Sequence, residues 1–543
     1  MTSHLVSFSP SGRTTVVPDG VTILDAARLA GELIPAECAG RGACGRCLVR
    51  ILGGHVPEHC VEAREAGTPL VLACQTPVCG PLTAQALVDA DLPHLPSRAE
   101  HVGLAPTEAF APWPAGLDPI VRAQGADDLG VALDIGTTTL QLLLVRLADG
   151  LVVAEASAYN PQIPRGADVV SRIVAAERGL GGELTATVRA ASGTMIADAA
   201  AGADVSPARI RAYVVAGNLT MMHLLLGVDP SGIRRVPPPP VSLSFAPLAA
   251  AGLGWPGDEA LVHTIPAVGS WVGGDIVAGL VRAGFSRAAD GLGLYVDLGT
   301  NGEVALGGRD FALACACSAG PAFEGGGIRC GMRAERGAID GARIDAERGT
   351  LEVSVVGGGA ARGVCGSGLI ALADGLWRAG WIDRAGRITD RLPSALRVDG
   401  TWGVGVAVSG CGGITLWERD LASLVRAKGA IFAGIRSLHR SLGEEAGSVG
   451  RVIVSGNFGR FLNLPAAIGI GLLPHLPPGQ FGYIHNGALE GASLALLSRA
   501  FMAEIDDYLA RVTYVDLSEL PGYMDEFVGA CFLPHTSPEL LRL

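Results

Sequence analysis

Short apolar runs punctuated by glycine and proline set the pattern of this chain. Residues 5–8 and 14–17 are apolar, β-prone runs on either side of a Pro10-Ser11-Gly12 turn, which predicts two joined strands. Thr22 stands where a helix cap is needed. Ile23, Ala26, Ala27 and Ala30 then recur on one helical face, predicting a helix to about residue 33. A loop rich in glycine and cysteine follows at 38–47, then a strand at 48–52 and an apolar run at 70–73 that ends on Cys74. Residues 1–85 therefore read as a small α+β unit. Prolines 93, 96, 106, 112, 114 and 119 break any long element, so 86–128 reads as a linker whose few apolar residues could dock on a domain.

From 129 to 543 strands and helical stretches alternate with glycine-rich turns, the pattern of an α/β domain. Two segments echo each other. VALDIGTTTLQLLLV (131–145) and LYVDLGTNGEVALGG (294–308) both run apolar strand, Asp, Gly-Thr, apolar strand, as a duplicated two-lobed plan would. Pro237–Pro240 reads as a surface bridge. Leu424, Val425, Ile431, Phe432, Ile435 and Leu438 predict an amphipathic helix over 421–442.

Composition narrows the class. A chain of 543 residues implies roughly two to four domains. With 49% hydrophobic and 17% charged residues, extended disorder is excluded. The net charge of −12 argues against nucleic-acid partners and anionic membrane surfaces. The first residues lack a basic stretch followed by a long apolar one, and no window offers about 18 uninterrupted apolar residues. A soluble, cytoplasmic protein is the expectation. In that setting the 12 cysteines read as metal ligands and buried thiols rather than disulfides.

Four of them form a constellation: Cys38, Cys44 and Cys47 in the loop CAGRGACGRC, and Cys74 in LACQT. Soft thiolates suit an iron–sulfur cluster or zinc. A plant-type [2Fe–2S] cluster takes three ligands from one tight loop and a fourth from a distant segment, although the first gap here is one residue longer than in the plant-type pattern. Zinc usually pairs two short Cys-x-x-Cys-like elements, and the far side offers only Cys74 and Cys79, with Cys60 isolated. Cys60 or Cys79 in place of Cys74 remains open on this reading.

The second constellation is the echoed pair. Gly136 lets one hairpin approach a phosphate, and Thr137, Thr138 and Thr139 offer hydroxyls and N–H groups. Asp134 can orient Mg²⁺ or a nucleophile. Asp297, Gly299, Thr300, Asn301 and Gly302 repeat the arrangement 163 residues later. A third turn, with Gly456, Asn457 and Gly459, follows an apolar strand and offers glycines against which an adenine ring could lie. A single such turn is an ordinary hairpin more often than not. Two in matching places point to a nucleotide clamp.

Together these segments resemble the acetate kinase, sugar kinase, Hsp70 and actin superfamily. They resemble one branch of it more closely, the ATP-dependent reductive activators of corrinoid proteins. The resemblance rests on the N-terminal cysteine domain, DIGTTT, NPQ (160–162), DVVSR (168–172), AGNLTMMH (216–223), DLGTNGE, SAGPAFEGGGI (318–328), CGSGL (365–369) and GNFG (456–459). It implies a β-grasp [2Fe–2S] ferredoxin domain followed by a duplicated ribonuclease H-like ATPase, with ATP and Mg²⁺ as further cofactors. It also implies one-electron delivery to Co(II) of a corrinoid methyl-transfer protein, regenerating Co(I), with an external electron donor and with a homodimer left open. That step is uphill, and roughly 5–7 kcal/mol from ATP binding or turnover would offset about 200–300 mV.

In that scheme Cys38, Cys44, Cys47 and Cys74 hold the cluster, and Asp134 and Asp297 position Mg²⁺ and water. Ser318 is a candidate contact to the partner. Asp275 is either a cleft residue or a helix cap, and Gly366–Gly368 either a backbone crossing or a nucleotide-side turn. Lys428 reads as solvated, or as a nucleotide contact. Cys315 and Cys317 read as buried thiols with a redox role left open. No histidine cluster suggests that the chain binds a corrinoid itself. Competing readings are an activator of another reductase, a small-molecule kinase with a redox-sensing domain, and a nucleotide-gated electron-transfer adaptor without turnover.

Overall fold

The computed structural model describes residues 2–9, 11–30, 32, 34, 47–65, 68–86, 117–121, 124–166, 168–235, 242–287, 291–299, 301–400, 402–408, 413–443, 448–456 and 462–543. Cys38, Cys44, Thr300, Asn457, Gly459 and the Pro237–Pro240 bridge lie outside the described residues.

The N-terminal unit is one mixed sheet with a helix across it. β1 (Ser3–Ser9), β2 (Thr14–Pro18), β3 (Leu48–Gly54), β4 (Val61–Glu65), β5 (Thr68–Leu72) and β6 (Leu82–Ala86) lie in the order β2-β1-β6-β3-β5-β4. Only β1 and β6 run parallel. Helix α1 (Ile23–Ala30) starts where Thr22 Oγ1 accepts from Asp25 N at 3.1 Å, and it buries Ile23, Leu24, Ala26 and Ala27. It stops short of the expected residue 33. The pattern predicts neither β4 nor β6. Among its described side chains β6 buries Leu82 and Ala84, too little apolar signal to read from the chain, yet it lies between β1 and β3.

The remainder folds as two lobes on one plan. In the first, β7 (Leu129–Ile135), β8 (Thr139–Arg146), β9 (Val152–Tyr159), β10 (Ile210–Gly217), β11 (Leu248–Ala249) and β12 (Leu261–Thr264) form the order β11-β12-β10-β7-β8-β9. In the second, β13 (Leu292–Asp297), β14 (Glu303–Gly307), β15 (Ala312–Ala316), β22 (Val449–Ser455), β23 (Phe481–Ile484) and β24 (Val512–Tyr514) form β23-β22-β13-β14-β15-β24. Between β15 and β22 lie two small sheets, one of β16 (Ala338–Asp345), β17 (Thr350–Val355) and β18 (Gly363–Val364), the other of β19 (Arg397–Gly400), β20 (Gly403–Ala407) and β21 (Thr415–Trp417). The series β12-β10-β7-β8-β9 and β23-β22-β13-β14-β15 match strand for strand: two parallel neighbours, then an antiparallel meander. The echoed motifs thus sit in equivalent hairpins of a duplicated domain.

The first-lobe helices are α2 (Val169–Ala175), α3 (Gly181–Gly202), α4 (Leu219–Leu226) and α5 (Gly274–Arg282). The second-lobe helices are α6 (Gly366–Arg378), α7 (Glu418–Ser441), α8 (Leu464–Gly469), α9 (Gly487–Leu497), α10 (Arg499–Leu509) and α11 (Tyr523–Ala530). One core joins the lobes: Ala212 and Val214 of β10, Ile276 and Leu280 of α5, Ala492 and Leu496 of α9, and Tyr295 and Ile453 of the second sheet. Gly491 makes that packing possible, because a Cβ there would lie 2.6 Å from Ala278 O. The end of the linker docks here, with Asp118 N and Ile120 N donating to Leu497 O and Leu496 O, each at 3.1 Å.

α7 departs from expectation at Lys428. Neither solvated nor at a nucleotide, it is fully buried, and its Nζ donates to Phe532 O and Pro534 O, both at 2.6 Å. Burial lowers its pKa to about 7. The ammonium pins the C-terminal segment to the helix instead of facing water.

Candidate functional site

Strand pairing brings two cysteines of the N-terminal unit together. Leu48 pairs with Leu72, and Ala73 N donates to Cys47 O at 2.8 Å, so Cys47 and Cys74 flank the same end of β3 and β5. Both are buried in the domain core. Gln75 Nε2 lies 3.5 Å from Cys74 Sγ. Cys60 is half-buried and Cys79 exposed, their thiols facing Gln75 O and Pro77 O at 3.7 Å. Two soft donors held side by side in this way fit an iron–sulfur group.

The two hairpins face each other across a cleft lined by Asp134, Gly136, Thr137, Thr138 and Thr139 on one side and Asp297, Gly299 and Asn301 on the other. Gly456 closes one end with φ +110°, and a Cβ there would lie 3.0 Å from Leu298 O. Gly302, at φ +67°, lies just behind, where a Cβ would meet Ile431 of α7 at 2.4 Å.

The first turn is held from behind by motifs to which sequence reasoning gave no roles. Asn160 Nδ2 donates to Gly136 O and Asn160 N to Thr138 O, both at 2.9 Å. Arg172 donates to Thr137 O, to Gln162 Oε1 at 3.0 Å and to Gly166 O at 2.8 Å. Asn218 Nδ2 donates to Thr137 Oγ1 at 3.0 Å. NPQ, DVVSR and AGNLT therefore converge on one turn. Burial lowers the Arg172 pKa only to about 9, so it stays charged at neutral pH.

Five carboxylates line the cleft, Glu324 and four more. Asp134 and Asp297 end the equivalent strands β7 and β13, Asp275 lies in the first turn of α5, and Glu303 opens β14 opposite Asp297. Burial pushes Asp134 up to about 7; the Asn486 hydrogen bond opposes this and the charge of Asp297 adds to it. Asp275 rises to about 7 through burial and then the charges of Asp134 and Asp297. Asp297 rises to about 6 through burial, against hydrogen bonds from Ser455 and Tyr295. Glu303 is raised well above its ordinary range by burial and the neighbouring Asp275 and Asp297. Among the described residues no three acidic groups stand close enough to cage a metal ion by themselves, so a divalent cation here would need water and phosphate oxygens for its remaining ligands.

Several roles resolve here. Gly273 occupies the cap of α5, so Asp275 is not the helix cap but a wall of the cleft. Gly366 lines the cleft, and Gly368 is a backbone crossing, where a Cβ would lie 2.0 Å from Ile339 O. Ser318 is exposed and lines a neighbouring cavity of about 470 Å³ that shares Asn218 and Asn301 with the cleft. Cys315 and Cys317 are buried with Sγ atoms 4.0 Å apart. Sequence reasoning missed Asn486, which caps α9 and donates to Asp134 Oδ2 at 2.8 Å, and Arg333, whose Nη2 donates to Thr139 Oγ1 at 2.7 Å. Neither carries a local signal, since each reaches the cleft only through long-range folding.

Comparison with known proteins matches this architecture segment by segment. The family described as the 2Fe-2S iron-sulfur cluster binding domain matches residues 6–79, the RACo middle region 129–288, and the C-terminal domain of RACo, the ASKHA domain, 291–542. The middle region is thus the first lobe. The corrinoid activation enzyme RamQ of Eubacterium limosum is 30% identical over 420 residues, 74% of this chain and 69% of that protein. The [Co(II) methylated amine-specific corrinoid protein] reductase of Methanosarcina barkeri is 26% identical over 272 residues, 46% of each chain. The solved structure of a reductive activator for corrinoid, iron-sulfur protein superposes with a TM-score of 0.72 at 33% identity, covering 99% of both chains. With a [2Fe–2S] domain joined to two lobes of one duplicated plan, and relatives of this likeness along almost its whole length, the chain belongs to the RACo family of reductive activators.

Proposed function

We propose that this protein is an ATP-dependent activase that passes one electron from its [2Fe–2S] cluster to Co(II) of a corrinoid protein, restoring Co(I) for methyl transfer. The observation that carries the reading is the union, in one chain, of a cluster domain with a two-lobed cleft, matched end to end by a reductive activator. Cys38, Cys44, Cys47 and Cys74 hold the cluster. Asp134 and Asp297, with Asp275 and Glu303 beside them, would position Mg²⁺ through water and orient the attacking water, while the Gly136–Thr139 and Gly299–Gly302 turns would take the phosphates from two sides. Gly456, Asn457 and Gly459 flank the adenosine. Ser318 opens beside the cleft rather than into it, where a partner can reach it.

The partner is a corrinoid methyl-transfer protein, served by an external low-potential donor. No helix among the described residues is long and apolar enough to cross a membrane. A cytoplasmic setting, which keeps thiols reduced, completes the reading.

Anaerobic absorbance spectroscopy tests it. A Co(II) corrinoid protein mixed with this chain, a reductant and MgATP is expected to develop the Co(I) band, and ATP turnover to rise with it. A phosphorylated small-molecule product, or ATP binding without turnover, would count against it. The cluster site carries a finer prediction. Hydrogen bonds to ligating sulfur raise a cluster's potential, so Gln75→Leu is expected to lower it by roughly tens of millivolts in a redox titration, with the cluster's colour retained.

A further inference from the structure

The cleft is short of positive charge. Asp134, Asp275, Asp297, Glu303 and Glu324 line it, and a nucleoside triphosphate adds several negative charges more. Among the described residues lining it, Arg333 is the single lysine or arginine. It does not belong to either hairpin. Its backbone is anchored in the second lobe, where Met332 N donates to Val364 O at 2.9 Å and Val364 N to Cys330 O at 2.7 Å. Its head crosses to the first lobe. There Nη2 donates to Thr139 Oγ1 at 2.7 Å, and the guanidinium lies 4.0 Å over the Tyr159 ring. Thr139 and Tyr159 are register partners on β8 and β9, so both contacts are made at one spot beside the Gly136–Thr138 turn.

A guanidinium presents five donors in a planar fork, and a neutral hydroxyl satisfies little of its capacity. Phosphate oxygens are the stronger acceptors and match the fork two at a time. Tyr159 holds the plane of the fork whichever acceptor it meets. We propose that Arg333 is a phosphate clamp. A triphosphate in the cleft takes the guanidinium in place of the Thr139 hydroxyl, and so ties the second lobe to the first across the nucleotide. This rests on the ATP-dependent reading above and names the residue that makes the acidic cleft selective for a polyphosphate.

Isothermal titration of the full-length chain with MgATP and with adenosine tests the clamp, using wild type, Arg333→Gln and Arg333→Lys. Arg333 is part-exposed, so the variants are expected to melt like wild type. Arg333→Gln is expected to weaken MgATP about tenfold to a hundredfold, the loss of charge-assisted bonds, and to leave adenosine unchanged. Arg333→Lys should recover part of the loss, as a charge without the fork. MgATP binding and turnover by Arg333→Gln equal to wild type would overturn the clamp alone. So would an equal loss for adenosine and MgATP, which would mark a structural role. A wild-type chain that binds no MgATP would remove the ATP-dependent reading and the clamp with it.

Discussion

Replacing Cys47 by serine is expected to abolish the visible absorbance of the iron–sulfur cluster and all electron delivery to Co(II), while MgATP binding stays at the wild-type level. Cys47 is 1% exposed and Cys74 6%, side by side at one end of the strand pair β3–β5. A serine oxygen is a hard donor where the site needs a soft thiolate. Every described residue that lines the nucleotide cleft comes after 129 in the chain. The two readouts should therefore separate. Cys44→Ala is expected to behave the same way. Cys60→Ser and Cys79→Ser serve as controls and should keep the cluster; a colourless Cys60→Ser protein alongside a coloured Cys74→Ser protein would reverse the assignment of the fourth ligand.

The second large effect concerns the cleft carboxylates. Asp297→Asn is expected to lower MgATP turnover by at least ~100-fold, measured by phosphate release, because it removes a cleft anion and leaves an amide that cannot balance a divalent charge. The pH dependence follows from the raised pKa values. Asp134 and Asp275 at about 7 and Asp297 at about 6 hold protons that Mg²⁺ must displace, so Mg²⁺ affinity should climb between pH 6 and pH 8.

Stability of the metal-free chain should move the other way. A carboxylate whose folded pKa lies above its unfolded value binds more protons folded than unfolded between the two. These three residues therefore contribute less stability as pH rises from about 4 to about 7. Melting curves should show Mg²⁺ stabilising the chain more at pH 8 than at pH 5.5. A magnesium effect that is flat across that range would remove the carboxylates from metal binding.

Much of this site can be read along the chain because its chemistry is local. The hairpin motifs at 134–139 and 297–303 each place an acid, a glycine and hydroxyl or amide groups within one turn, and β pairing needs no distant residue to form that turn. The repeat itself declares two equivalent lobes, and strand order bears this out. Cys47 and Cys74 are legible for a similar reason, since each ends or begins an apolar strand that the sheet then pairs.

Other features depend on contacts between segments far apart. Lys428 has the sequence context of a surface lysine, and only the C-terminal carbonyls of Phe532 and Pro534, more than a hundred residues on, make its burial tolerable. β6 carries too few apolar residues to announce itself, yet the sheet places it beside β1. Asp275 reads equally well as a cap or a ligand until the lobes meet and set it beside Asp134 and Asp297.

By itself, then, the sequence determined the 2Fe–2S domain, the duplicated hairpins and the class of chemistry, because spacing within a turn or a strand carries each of them. Only the tertiary structure decided which groups meet at the cleft: the five carboxylates, the Asn160, Arg172 and Asn218 brace behind the first turn, and the crossing of Arg333. Those groups come from segments up to about 200 residues apart, and what unites them is the closure of two lobes over α5 and α9, a packing event that no local pattern encodes.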